Sequence, residues 1–176
     1  MDVSTFYALF SATCFTLVGL WWNVVSTRPA WMSDPELRRT VGGIYAAFLL
    51  PAMMGLFAQV GGTTNPEVWR ASFVVIAMVG AISTVALLSR GGQRSAVPLL
   101  VGSGLLYLVI AVVGARPELA AELDLKPIEA EALLLILLVG IGHALAWRFM
   151  AEHSGGHPAE EPNAAESGPS GRSHRA

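Results

Sequence analysis

Charge is scarce in this chain. Asp, Glu, Lys and Arg together make up 14% of its 176 residues, and lysine occurs once, as Lys126. Soluble domains carry about 25% charged residues, so the scarcity argues against a soluble fold. The net charge of −2 excludes the strongly basic surface that nucleic acid would need. Cysteine is nearly missing too. Cys14 stands alone, so neither an intrachain disulfide nor a thiolate metal cluster can form. Between Thr13 and Phe15 it reads as a small apolar filler.

Catalytic signatures are lacking as well. There is no His-Glu-x-x-His, no Gly-x-Ser-x-Gly and no Gly-rich phosphate loop. No pair of Asp residues and no Ser/Lys pair is placed for intramembrane proteolysis. No catalytic, cofactor-binding or metal-binding residue is therefore assigned, and no cofactor is expected. A haem held by two histidines is disfavoured, because only His143 lies inside an apolar run. No basic residue precedes Arg28, so the positive region of a signal peptide is missing and the first run is read as a true span.

Five long apolar runs remain, at residues 4–25, 41–60, 71–89, 97–114 and 129–150. A helix of about 20 residues, rising about 1.5 Å per residue, crosses the hydrocarbon core. The runs lack the polar face that a helix on a soluble core needs, and 53% of the chain is hydrophobic. The expectation is an all-α, polytopic membrane helix bundle of five transmembrane helices, in one domain over residues 1–151. From residue 152 to 176 the chain is Gly, Pro, Ser, Glu, Ala and His without apolar period, the composition of a disordered tail.

Basic residues give the orientation. Arg28, Arg38, Arg39, Arg90, Arg94, Arg148, Arg172 and Arg175 fall on one side of a five-span bundle, against Arg70, Arg116 and Lys126 on the other. The positive-inside rule then places the N-terminus outside and the C-terminus in the cytoplasm. The excess of Arg over Lys points to a GC-rich bacterial genome, and so to the cell inner (plasma) membrane. Outside, residues 117–126 predict a short amphipathic helix on the surface. Glu118, Glu122, Asp124, Glu129 and Glu131 are expected to form a solvated face there rather than a cation-collecting vestibule.

Asp34-Pro35-Glu36 and Asn65-Pro66-Glu67 supply cap, first-turn proline and first-turn acid for the second and third helices. Capping chemistry accounts for the likeness without a duplication. Trp21, Trp22 and Trp31 read as an interfacial aromatic belt. Small residues four apart, Gly42/Ala46, Gly43/Ala47, Ala77/Ala81, Gly140/Ala144 and Gly142/Ala146, allow close helix approach within a bundle or between copies.

Candidate functional residues are few. Pro51 interrupts the second span and withholds a hydrogen bond from the carbonyl of Ala47, which makes a kink or hinge. Ser11, Thr13 and Thr16 offer a polar lining, although such hydroxyls can bond back to their own helix. His143 is the one ionisable side chain well inside a run, about one turn from Trp147 and Arg148, where it serves packing or a cytoplasmic-side gate. The first functional reading is a non-enzymatic membrane subunit or scaffold that assembles with itself or with a larger complex. The alternative is a small oligomeric channel or transporter for an ion or small solute. A membrane enzyme or redox protein is the third. The partners expected are the lipid bilayer and other copies or subunits, with no nucleic acid.

Overall fold

The computed structural model describes residues 2–61, 66–89, 96–118 and 126–153. Among them lie six helices: α1 Val3–Ser26, α2 Ala30–Ser33, α3 Pro35–Gly61, α4 Pro66–Ser89, α5 Val97–Ala115 and α6 Pro127–His153. All but α2 are long and apolar enough to cross a membrane. The helices outrun the apolar runs because their starts are capped in polar sequence. The Asp34 carboxylate accepts from the amides of Glu36 at 2.7 Å and Leu37 at 3.4 Å, and Pro35 fills the first helical position, where its missing N–H costs nothing. At the other end of the chain, α6 continues to His153, into the stretch expected to be tail. The rest of that tail and most of the 117–126 segment lie outside the described residues.

The long helices alternate direction. One end of the bundle gathers Val3, Gly61, Glu67, Ala115 and Pro127; the other gathers Ser26, Pro35, Ser89, Val97 and His153. Contacts at both ends fix the register. The Tyr7 hydroxyl donates to the Ile128 carbonyl at 2.8 Å, and Arg28 donates to the His153 carbonyl at 3.2 Å. Helix α3 packs on α4, α4 on α5, α5 on α6, and α6 returns to α3, which closes a four-helix ring. Helix α1 lies outside that ring against α3 and α6.

The outward faces are apolar. Leu20, Val60, Ile82, Leu105 and Leu137 are all exposed, a surface that lipid would solvate and water would not. Inside, two clusters fill the bundle. One joins Tyr7, Met54, Phe73, Tyr107, Ile110, Leu135 and Leu138. The other joins Trp21, Trp31, Val41, Phe48 and Phe149. The second corrects the aromatic-belt expectation for two of its three tryptophans. Trp22 is exposed, but Trp21 and Trp31 are buried, stacked with ring centroids 6.4 Å apart, and edge-on to Phe149. The Trp21 indole N–H, which needs a partner once buried, donates to the Val41 carbonyl at 3.1 Å.

The small-residue pairs divide between inside and outside. Gly142 meets Phe48 and Ala47 of α3, and Gly43 meets Leu87 of α4, so both serve packing within one chain. Gly42 and Gly140 have nothing within 4 Å. Their faces are left free.

Candidate functional site

The carboxylate of Glu131 is the most anomalous group in the fold. It sits just over one turn into α6, is 0% exposed, and neither oxygen has a hydrogen-bond partner among the described residues. Its position follows from the helical period. Glu131, Leu135, Leu138, Gly142, Ala146 and Phe149 are the buried residues of α6, and they recur at the spacing of one face. The polar start of the helix and its buried stripe therefore coincide at one acid. This overturns the expectation of a solvated outer face for Glu131. Its neighbours keep that character: Glu118 is exposed and Glu129 lies 3.8 Å from the Lys126 ammonium, while Glu122 and Asp124 lie outside the described residues.

Three helices wall the carboxyl group. From α1, Tyr7 lies within electrostatic reach. From α5, Gly114 offers bare backbone: a Cβ there would stand 3.6 Å from Glu131 Oε1 and 3.1 Å from Val74 of α4. Also from α4, Arg70 donates through Nε to the Gly114 carbonyl at 3.0 Å and through its terminal nitrogen to the Ala115 carbonyl at 3.4 Å. The guanidinium and the carboxylate thus flank the same glycine without forming an ion pair. A buried polar group left without a partner costs roughly 1–3 kcal/mol, more for a charged one, and no packing need explains an acid there.

The opposite half of the four-helix ring contains a cavity of about 90 Å³, room for about three waters at roughly 30 Å³ each. It begins at Thr40, Ala96 and Leu145 near the Arg28 end and runs to Leu50, Gly80, Tyr107 and Leu138. From Val97 to Tyr107 that is about 15 Å of helix rise. Its walls are mostly apolar with four short or phenolic hydroxyls from the middle of the ring, on Ser83, Thr84, Ser103 and Tyr107. Thr84 and Ser103 donate to their own helices, to the carbonyls of Gly80 and Leu100, which leaves their oxygens able to accept. The Tyr107 hydroxyl, at the end toward the middle of the bundle, has no hydrogen-bond partner among the described residues. Beyond it Phe73, Ile110 and Leu135 plug the ring up to Glu131.

Pro51 bears on this cavity. It lies in an uninterrupted α3 and is buried. Its ring cannot donate to the Ala47 carbonyl. That freed oxygen lies 3.6 Å from where a Cβ of Gly142 would stand, and both residues line the cavity. The carbonyl that Pro51 leaves without its usual i+4 donor therefore stands at the cavity wall.

The other sequence candidates are not brought together. His143 is exposed on the outward face of α6, Nδ1 3.1 Å from the Val139 carbonyl and its ring edge-on to Phe48; it does not line the cavity. Thr13 and Thr16 are exposed on α1 and bond back to Leu9 and Ala12 at 2.8 and 2.9 Å. Ser11 is buried without a hydrogen-bond partner among the described residues, against Gly55, where a Cβ would collide with its oxygen. Among the described residues no three His, Cys, Asp or Glu side chains converge as metal ligands.

No protein-family model matches the chain, and no curated protein or solved structure matches it either.

Proposed function

We propose that this chain is a multi-pass integral membrane protein that moves a small solute, with the α3–α6 ring as the moving or conducting element. One observation carries the reading: a cavity reaching about mid-bundle, where it meets the Tyr107 hydroxyl, which has no hydrogen-bond partner among the described residues. Backbone that lacks its helical partner is tolerated in a span where it is buried in protein or lines a water-filled cavity, and the Ala47 carbonyl, without a donor from Pro51, lines this one. The basic-residue count favours the N-terminus outside, an orientation in which the Arg28 end of the cavity faces the cytoplasm.

The test is unbiased as to solute. Purified protein is reconstituted in liposomes loaded with a mixture of small cellular metabolites and salts, and retention is followed by mass spectrometry. The wild-type chain should release a chemically coherent subset. The Ser103→Phe chain, with its cavity filled, should retain it. Equal retention by both, with the protein folded and inserted, would defeat the reading.

A second reading, a non-enzymatic subunit that assembles with itself or a larger complex, draws on a different observation. Gly42 and Gly140 present open small-residue faces with nothing within 4 Å, the surface that close helix pairing between chains uses.

A further inference from the structure

We propose that Glu131 is a proton-holding site of the bundle, and that Arg70 becomes its charge partner when the proton leaves. This goes beyond the solute-moving reading and does not depend on it. It is tested on the protein itself, so its failure and that of the flux experiment are separate.

The ligand is a proton because the described residues around the site do not furnish the oxygen ligands a metal needs. A metal cation entering such a pocket must exchange its hydration shell for several oxygen ligands. Glu131 supplies one carboxylate, and no group of three His, Cys, Asp or Glu side chains forms among the described residues. The Tyr7 hydroxyl is already turned to the Ile128 carbonyl. The nearby Arg70 guanidinium, held on Gly114 and Ala115, repels a further cation. A proton needs only one lone pair of the carboxylate. It also removes the charge that full burial without a partner makes costly.

The charges facing the site set what happens next. Tyr7 comes from α1, Arg70 and Glu67 from α4, and Arg116 caps the end of α5. Helix α6 itself adds Glu129, preceded by Lys126, while the titratable groups of α3, namely Glu36, Arg38, Arg39 and Tyr45, stand at its opposite end. Arg70 is the cation that already touches the residue against which Oε1 lies. Its bonds to two carbonyls are replaceable. On deprotonation the O–H bond of the carboxyl group breaks, the proton passes to water at the neighbouring end of the bundle, and the guanidinium exchanges a carbonyl for the carboxylate. The charge of the pair falls from +1, a neutral acid beside Arg⁺, to 0 in the ion pair, and the proton carries the difference to water. Gly114 permits the exchange, since any side chain there would stand between the two groups.

The full-length protein in membranes is treated with dicyclohexylcarbodiimide, which attacks protonated carboxyl groups in apolar surroundings, and the adduct is mapped by peptide mass spectrometry. Glu131 should carry the adduct near neutral pH and lose reactivity as pH is raised. Sodium, calcium and magnesium should give no protection. Glu131→Gln should abolish that adduct, and Glu129→Gln should keep it. Arg70→Gln should move the loss of labelling upward by about one pH unit, a tenfold change in the ionisation equilibrium, and Arg70→Lys should restore most of it. Absence of an adduct in the folded protein, when the detergent-denatured chain reacts at Glu131 under acid conditions, would overturn the proposal. So would protection by a metal cation. An Arg70→Gln chain that labels like the wild type would overturn the pairing.

Discussion

Gly80 on α4 lies flat against the ring of Tyr107 on α5, so closely that a Cβ on the glycine would overlap three ring carbons. The tyrosine is 3% exposed and lines the cavity toward the middle of the bundle. Its position is fixed by the one residue type that leaves room for it. Gly80→Ala must push the ring into the cavity or part the two helices. Overpacking of this kind costs about 1–3 kcal/mol. Unfolding of the purified protein in detergent should show a loss of that size. Gly104→Ala, whose Cβ would meet Thr84 at an ordinary 3.4 Å, should cost much less.

Trp31 and Trp21 clamp the Arg28 end through Phe149 and His153. In water, Trp→Ala in a core costs about 3–5 kcal/mol, part of it the loss of apolar transfer. Lipid is as apolar as the cluster, so the transfer part falls away and the lost packing remains. Trp31→Ala should therefore destabilise the bundle by roughly 1–3 kcal/mol. Trp22→Ala, on the exposed face, should leave stability almost unchanged. Paired thermal denaturation of the two variants checks the difference.

Pro51→Ala returns an N–H to the Ala47 carbonyl. A regained hydrogen bond contributes about 0.5–1.5 kcal/mol, so the variant should be more stable than the wild type. It should also lose solute release in the loaded-liposome assay, because the free acceptor in the cavity wall disappears. A stable variant with unchanged release would show that Pro51 serves shape alone.

Orientation is open to direct labelling. In a chain whose Cys14 is replaced by Ala, single cysteines at Ser4 and Lys126 should react with an impermeant thiol reagent on intact cells. Single cysteines at Thr27 and Ser33 should react only after the membrane is opened. All four native residues are exposed. The reverse pattern would invert the orientation and the opening of the cavity with it.

The five long helices were legible because lipid-facing helices need no polar side, and uninterrupted apolar runs record that directly. Their starts were legible in Asp34-Pro35-Glu36, where cap and proline announce themselves. What could not be read is which side of each run faces inward. A helix that is apolar all round carries no stripe to mark its buried face. Glu131 therefore looked like its neighbour Glu129, two acids at a polar helix start. Only the positions of Leu135, Leu138 and Gly142 in the bundle show that one of the two points into the protein. The same ambiguity hid the burial of Trp21 beside exposed Trp22. Thr13 and Thr16 looked like a lining until α1 proved to lie outside the ring. Pro51 was legible as a break in hydrogen bonding, whereas the partner helix facing the freed carbonyl was not.

The central claim is that the ring cavity is open to water from the cytoplasmic side. It is tested most directly at Ser103, whose side chain lines that cavity. Ser103→Cys in a Cys14→Ala background is exposed to a small water-soluble thiol reagent in sealed vesicles of each orientation. The account predicts reaction in inside-out vesicles and protection in right-side-out ones. Protection in both, with full reaction once the chain is unfolded, would mean a dry, closed bundle and would contradict it.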